Sequence, residues 1–294
     1  MTFYALLSYF IDAAKNLMEL QPLIQETIIG GERLNDIFYM ETETQCDKEQ
    51  FLLNSPIKTI TIENVSFRYG NRQKVLDEIN LTLRSGEKIG IVGKSGSGKT
   101  TLAKLLLGFY KPESGVVKIN GKEIEEISLN MLRKEIAYIS SDPFLFSDTV
   151  LNNLKVSALN VSEKEIFKIC KLCKVDEFVQ KMPYGYNTYL NENGKNLSTG
   201  QRQRIAIVQA LLKKPSVIIL DEAIGNFEIK MGKRIKEIIY EINPKAISII
   251  ITHQLRMVMD CEKIIVMESG KIVEQGTHEE LLEKSRYYKE LLKE

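Results

Sequence analysis

The eight residues from Gly93 to Thr100 match the spacing G-x-x-x-x-G-K-[ST], which is typical of a loop that binds phosphate. Their surroundings fit this motif, because Lys88–Val92 predicts a short buried strand and Thr101–Leu107 predicts a helix that ends at Gly108. Glycines permit unusual backbone dihedral angles, so several N–H groups can point at a polyphosphate near the positive end of the helix. The alternative is a glycine-rich turn that binds nothing, which the flanking strand and helix disfavour. We therefore predict a site for a nucleoside triphosphate.

Within this loop, two side chains have specific predicted roles. Lys99 would contact the β- and γ-phosphates, and Thr100 would offer its hydroxyl to Mg²⁺. The predicted nucleotide-binding residues are the loop and the residue after it: Gly93, Lys94, Ser95, Gly96, Ser97, Gly98, Lys99, Thr100 and Thr101.

Acidic and imidazole side chains follow two further predicted strands. Asp221 and Glu222 come directly after the apolar run Val217–Leu220, at the strand end where open α/β sheets bind ligands. Asp221 could hold Mg²⁺, and Glu222 could act as general base toward the attacking water. His253 follows Ile247–Thr252 and could contact the γ-phosphate. The alternatives are a helix N-cap for the carboxylates and a purely structural histidine.

Composition excludes some classes of protein. The 294 residues include 40 Lys and Arg against 39 Asp and Glu, so no general basic field favours nucleic acid as a partner. Four cysteines in a chain of this length do not resemble a secreted disulfide framework, which indicates a reducing, intracellular setting. Cys170 and Cys173 have C-x-x-C spacing, but they lie in a predicted helix without a second pair, so we favour a structural role over metal or redox chemistry.

Residues 1–45 differ from the rest of the chain. The apolar stretch Phe3–Ile11 is too short to span a bilayer, and it lacks the preceding basic residues and cleavage site of a signal peptide. Apolar residues then recur at helical spacing, with an interruption predicted at Pro22. The stripe either needs a separate partner or belongs to an ordinary packing helix of the same domain. The polar stretch 46–56 is predicted to be a linker.

The main domain, 57–294, is predicted to be α/β. Alternating residues in 59–70, 79–83 and 116–119 predict an antiparallel sheet, with Asn120-Gly121 forming a hairpin turn. The stretch of about 147–205 predicts an inserted helical subdomain, in which Ser162-x-x-Glu165 forms a capping box. The unbroken apolar runs at 217–220 and 247–251 predict parallel strands covered on both faces. A hairpin at 263–274 and a helix capped at Thr277 close the chain.

A second anion-binding helix start is predicted at Leu197-Ser198-Thr199-Gly200-Gln201. With it, the chain resembles the ATP-binding cassettes of ABC transporters over about 57–294. The phosphate loop resembles the Walker A motif, Val217–Asp221 the Walker B strand, and Leu197–Gln201 the LSGGQ signature with Thr199 in place of a glycine. By this resemblance Glu222 is the catalytic glutamate and His253 the switch histidine. Tyr69 is the aromatic residue that stacks on adenine; nucleic-acid bases stacked on aromatic side chains gain about 1–3 kcal/mol.

The resemblance implies a P-loop NTPase core of ABC type with an antiparallel β subdomain and an inserted helical subdomain, preceded by N-terminal helices. It implies a Mg²⁺-dependent ATPase that pairs head to tail with a second cassette, in a homodimer or heterodimer. Ser198, Gly200 and Gln201 of one cassette would then cover the ATP bound to the other.

The loop Asn191–Gly194 is similar to one that meets the membrane domains in ABC exporters, and residues 1–45 resemble the end of an exporter's membrane domain with its connecting helix. The chain would be the C-terminal part of a half-transporter, similar to peptide or bacteriocin exporters, at the cytoplasmic face of the cell membrane. Two alternatives are a regulatory or degenerate cassette that binds ATP and dimerises with little hydrolysis, and a P-loop small-molecule kinase, which needs no signature of this kind.

Two departures from the family pattern bear on the rate of hydrolysis and on communication between the sites. Ser141 stands where the family has a glutamine that touches the metal, and the shorter side chain would need a bridging water. The stretch 225–228, Gly-Asn-Phe-Glu, replaces the family's Ser-Ala-Leu-Asp.

Overall fold

The computed structural model describes residues 2–40, 55–157, 161–225 and 227–292, and the chain divides into two compact units, 1–49 and 50–294. Most of the predicted linker 46–56 therefore lies outside the described residues. The first unit contains α1, Thr2–Phe38, a helix of 37 residues. It confirms the N-terminal helical prediction but continues through Pro22. Pro22 has no backbone N–H, so α1 lacks one of its backbone hydrogen bonds at this position. The loss of a single hydrogen bond does not end a helix of this length.

Among the described residues, no helix is both long enough and apolar enough to cross a membrane. The second unit contains both α-helices and β-strands. Its α-helices are α2 Lys99–Leu106, α3 Leu129–Glu135, α4 Val150–Lys155, α5 Glu163–Leu172, α6 Asp176–Val179, α7 Thr199–Leu212, α8 Ile229–Ile242, α9 His278–Lys284 and α10 Arg286–Leu291. Short 3-10 turns occur at Ile124–Glu126, Gly185–Asn187, Glu192–Gly194 and Leu255–Met257. The strands are β1 Thr59–Arg68, β2 Lys74–Arg84, β3 Lys88–Val92, β4 Ser114–Ile119, β5 Lys122–Glu123, β6 Ile136–Ile139, β7 Val217–Asp221, β8 Ile247–Ile251, β9 Lys263–Glu268 and β10 Lys271–Gly276.

The central sheet has six strands in the order β10-β9-β3-β8-β7-β6. All neighbouring pairs are parallel except the β9–β10 hairpin. Alternate residues of β7 enter two different hydrophobic clusters, with Ile218 in one and Ile219 in the other. The prediction of parallel strands covered on both faces is therefore confirmed. Because β3, β7 and β8 are neighbours and parallel, the residues that follow them meet at one edge of the sheet.

The second sheet is antiparallel and has the order β2-β1-β4-β5. The predicted Asn120-Gly121 hairpin is confirmed, since Ile119 pairs with Lys122 across it. This sheet and α2 share a hydrophobic cluster with one face of the central sheet.

Helices dominate the stretch from α4 to α7, as the sequence predicts. Ser162 caps α5 by accepting the Glu165 N–H at 3.3 Å. The predicted capping box is only half formed, because the Glu165 carboxylate pairs instead with Lys214 at 2.8 Å. Together with α8 and the other face of the central sheet, these helices enclose the second hydrophobic cluster. The α7 helix packs on α4, α5 and β6, so it connects the helical stretch to the sheet.

Candidate functional site

The predicted phosphate loop connects β3 to α2. Gly93 has φ 151°, and a Cβ there would lie 2.1 Å from the carbonyl oxygen of Met267 on β9. Gly96 has φ 80° with open space around it. No side chain caps α2, whose first residue is Lys99, so the N–H groups of its first turn are left for an anion.

Lys99 lies inside the loop and is only 7% exposed. Its ammonium donates to the carbonyl oxygens of Gly93 at 2.7 Å and Lys94 at 2.8 Å. Burial lowers the pKa of Lys99, and the nearby carboxylates of Glu222 and Asp221 partly offset that effect. The backbone thus holds a desolvated ammonium where the predicted phosphates would bind.

Asp221 ends β7 and is 5% exposed. Its two carboxylate oxygens have different donors: the Thr100 hydroxyl donates to Oδ1 at 3.1 Å, and the Tyr138 hydroxyl donates to Oδ2 at 2.9 Å. The predicted pair Thr100 and Asp221 is therefore in direct contact. Tyr138, on β6, was missed by the sequence reasoning; its only signal there is a polar aromatic residue near the end of a short apolar strand.

Glu222 follows Asp221 with φ 54°, a left-handed conformation that costs a non-glycine residue about 1–2 kcal/mol. Its carboxylate accepts from the His253 backbone N–H at 3.1 Å and lies 3.0 Å from His253 Nδ1. The Thr252 hydroxyl, also missed by the sequence reasoning, donates to the same carboxylate at 3.4 Å. The ends of β7 and β8 thus hold the two predicted catalytic side chains together.

A cavity of about 280 Å³ joins these groups. Its wall combines five residues of the phosphate-loop region and the start of α2 (Ser95, Gly96, Gly98, Lys99 and Thr100), together with Thr101, Val75, Glu222 and His253. Side chains that are distant in sequence are therefore brought to one polar cavity. Such convergence of polar and titratable groups in a concave site is typical of a ligand-binding or active site.

Tyr69 lies beside this cavity. Its hydroxyl is 3.2 Å from Thr101 Oγ1. The ring makes edge-to-face contacts with Phe67 and Tyr110, at centroid distances of 4.9 and 5.2 Å. These contacts fix the ring next to the start of α2.

The signature-like segment lies elsewhere. Ser198 and Gln201 form a reciprocal capping box at the start of α7, with hydrogen bonds of 2.9 and 3.3 Å. Neither these residues nor Gly200 line the cavity. Within one chain, the structure does not bring this helix start to the phosphate loop.

Ser141 follows β6 and is exposed. Its backbone carbonyl accepts from the Gln203 side chain at 2.7 Å, and the neighbouring Asp142 pairs with Arg202 at 2.9 Å. The segment after β6 is thereby bonded to α7. Its predicted role at the metal stays a prediction.

The described residues contain no cluster of three or more His, Cys, Asp or Glu side chains that could hold a metal ion. Thr100 and Asp221 instead offer hard oxygen donors, which suit Mg²⁺ held jointly by one or two protein groups and phosphates. Cys170 and Cys173 are fully buried, and burial raises the pKa of each thiol to about 12. That environment favours the structural interpretation of the C-x-x-C spacing.

Comparisons with known proteins agree with this geometry. The family model described as "ABC transporter" matches residues 76–225. The pediocin PA-1 transport/processing ATP-binding protein PedD of Pediococcus acidilactici is 38% identical, over 99% of this chain and 41% of that protein. The ATP-dependent lipid A-core flippase of Legionella pneumophila (strain Paris) is 36% identical, over 96% of this chain and 48% of that protein.

Among solved structures, that of a bacterial Atm1-family ABC exporter with ATP bound matches with a TM-score of 0.85 and 29% identity. The match covers 91% of this chain and 47% of that one. The chain thus spans less than half the length of these proteins. The motifs, the cavity, the family model and the shared fold lead to one conclusion: the chain belongs to the ABC transporter family.

Proposed function

We propose that this chain is the ATP-binding and ATP-hydrolysing part of an exporter. The observation that carries the proposal is the convergence of four side chains on one cavity: Lys99, Thr100, Glu222 and His253. Asp221 lies directly behind Thr100, from whose hydroxyl it accepts a hydrogen bond. A phosphate chain along the loop would meet the Lys99 ammonium and the free N–H groups of α2. The presence of both Glu222 and His253 favours hydrolysis over a cassette that only binds ATP.

Each residue then has a defined role. Lys99 transfers hydrogen bonds from the Gly93 and Lys94 carbonyls to phosphate oxygens, which costs little because the ammonium is already desolvated. Thr100 and Asp221 would hold Mg²⁺, which would supply positive charge to offset that of the phosphates. Glu222 accepts the proton of the attacking water as the water oxygen bonds to the γ-phosphorus. His253 orients the Glu222 carboxylate and, as part of the same cavity wall, would contact the γ-phosphate. Tyr69 stacks on the adenine.

A second cassette completes the site. The start of α7 does not line the cavity of its own chain, and its Ser198–Gln201 capping box holds that helix end in a defined conformation. We propose that Ser198, Gly200 and Gln201 cover the ATP of a partner cassette, identical or not. ATP then favours the closed dimer through its higher affinity for that state.

The cargo and the membrane domain are proposed from the relatives. The names of several relatives describe transport and processing of bacteriocins such as pediocin PA-1 and lactococcin A. We propose a peptide of this class as cargo, with residues 1–45 as the end of a membrane domain and its connecting helix, 46–56 as linker and 57–294 as the cassette at the cytoplasmic face. Ser141 and the stretch 225–228, of which Asn226 lies outside the described residues, are proposed to slow turnover.

The test is steady-state phosphate release from Mg-ATP. Glu222→Gln is expected to lower the rate by about 10²–10⁴-fold, the usual contribution of a general base, while ATP binding persists. Lys99→Ala is expected to weaken ATP binding itself. Glu279→Gln, an exposed carboxylate on α9, serves as the matched control. If the wild type and Glu222→Gln release phosphate at equal rates, the hydrolysis proposal is wrong and the binding-only alternative is favoured. If Lys99→Ala binds ATP as tightly as the wild type, the assignment of the site is wrong.

A further inference from the structure

Tyr138 contacts the carboxylate that is proposed to hold Mg²⁺, but it is not part of the phosphate loop or of the β7 strand end. On β6 it is in register with Ile219 of β7, two residues before Asp221. Its hydroxyl is 2.9 Å from Asp221 Oδ2. A contact between residues 83 positions apart, across two parallel strands, is fixed by the sheet.

The two oxygens of Asp221 are held from different sides. Thr100 donates to Oδ1 from the start of α2, and Tyr138 donates to Oδ2 from β6. Because Asp221 is 5% exposed, little water is available to replace either donor.

The contact also bears on Ser141, the residue at the position of the family's metal-contacting glutamine. Ser141 is exposed, and its carbonyl is bonded to Gln203 of α7. The hydroxyl that reaches Asp221 from this part of the chain belongs to Tyr138, three residues earlier.

We propose that Tyr138 is a positioning residue for the magnesium site: by holding Oδ2, it fixes the orientation in which Asp221 presents Oδ1 to the cation. This inference rests on the proposed function. Hydrogen-bond partners of metal ligands orient the ligand, and their loss typically lowers metal affinity by about 10–100-fold. A purely structural hydrogen bond between two strands would stabilise the fold without affecting the cation.

The test compares Tyr138→Phe with the wild-type 294-residue chain. Binding of a non-hydrolysable ATP analogue is measured by calorimetry in EDTA and as a function of free Mg²⁺. Phenylalanine keeps the ring in place and removes only the hydroxyl. Tyr186→Phe is the matched control, because it removes a Tyr–Asp hydrogen bond of 3.0 Å, to Asp176, in the helical stretch. Melting temperatures of both variants confirm that they fold.

We expect Tyr138→Phe to raise the Mg²⁺ concentration at half-maximal binding by about tenfold or more while the affinity in EDTA is unchanged. Tyr186→Phe should leave both quantities at their wild-type values. The proposal is wrong if the Mg²⁺ dependence of Tyr138→Phe matches the wild type, or if its affinity falls equally with and without Mg²⁺. If the wild type itself binds no analogue in either condition, the proposed function fails, and the role of Tyr138 fails with it.

Discussion

Substituting alanine for Gly93 or for Gly96 separates two reasons for glycine in the phosphate loop. Both residues have positive φ, 151° and 80°. They differ in what an added Cβ would meet: at Gly96 there is no atom within 4 Å, whereas at Gly93 the Met267 carbonyl oxygen is 2.1 Å away and Ser97 Oγ is 2.9 Å away. Gly96→Ala therefore introduces dihedral strain alone, and Gly93→Ala introduces strain together with a clash against backbone.

The expected losses of stability follow from these distances. A left-handed conformation costs alanine about 1–2 kcal/mol, so Gly96→Ala should lower the free energy of unfolding by about that amount. Strain at Gly93 costs about 1–3 kcal/mol by itself. A Cβ would also need to move from 2.1 Å to about 3.5 Å from Met267 O. Because Val92 pairs with Val266 beside this point, that shift would disturb the β3–β9 ladder. We expect a total loss of at least about 3 kcal/mol.

Urea denaturation followed by circular dichroism measures both losses. With a slope of about 3 kcal/mol per molar urea, Gly96→Ala should lower the midpoint by about 0.3–0.7 M and Gly93→Ala by about 1 M or more. The measurement is made without nucleotide, so it does not depend on the proposed function. Losses that agree within about 0.5 kcal/mol, the usual scatter of such comparisons, would refute the steric explanation of Gly93.

Two further predictions concern buried groups outside the cavity. Cys170, Cys173 and Cys261 are expected to resist alkylation at pH 8 until denaturant is added. Burial raises the pKa of each thiol to about 12 and so lowers the reactive thiolate fraction about a thousandfold. Site-resolved mass spectrometry measures the extent of alkylation at each cysteine. Asp260→Asn leaves the ammonium of Lys236, 1% exposed, without its carboxylate partner. Loss of one partner from a fully buried pair costs about 3–5 kcal/mol, but the Asp260 side chain is 55% exposed, so we expect a loss of about 2 kcal/mol in the free energy of unfolding.

Each of these two predictions has an outcome that would contradict it. Rapid alkylation of the folded chain at Cys170 would show that α5 opens readily, contrary to its packing. For the ion pair, Glu262→Gln is the matched variant, since the Glu262 side chain is 56% exposed and its carboxylate lies 3.8 Å from Lys88. Its loss should stay below about 1 kcal/mol. If Asp260→Asn and Glu262→Gln lower the free energy of unfolding equally, burial of Lys236 does not make its ion pair with Asp260 more stabilising than an exposed ion pair.

Much of the fold follows from local patterns. Short-range chemistry fixes the caps at Ser198 and Thr277 and the hairpin at Asn120-Gly121, because a cap or a turn involves residues only a few positions apart. Unbroken apolar runs likewise predicted the buried strands β7 and β8. Pro22 shows where a local rule is too strict, since α1 continues through it.

The sequence alone determined which groups are candidates for the site: a glycine loop with Lys99 and Thr100, and carboxylates and a histidine at strand ends. Only the tertiary structure decided how they meet. The contacts of Tyr138 with Asp221 and of His253 with Glu222 join residues 83 and 31 positions apart. They depend on the order β3-β8-β7-β6 and on its register, because neighbouring strands in the sheet are distant in sequence. A local pattern records which residues end a strand, whereas the packing of the whole sheet determines which strand ends lie side by side.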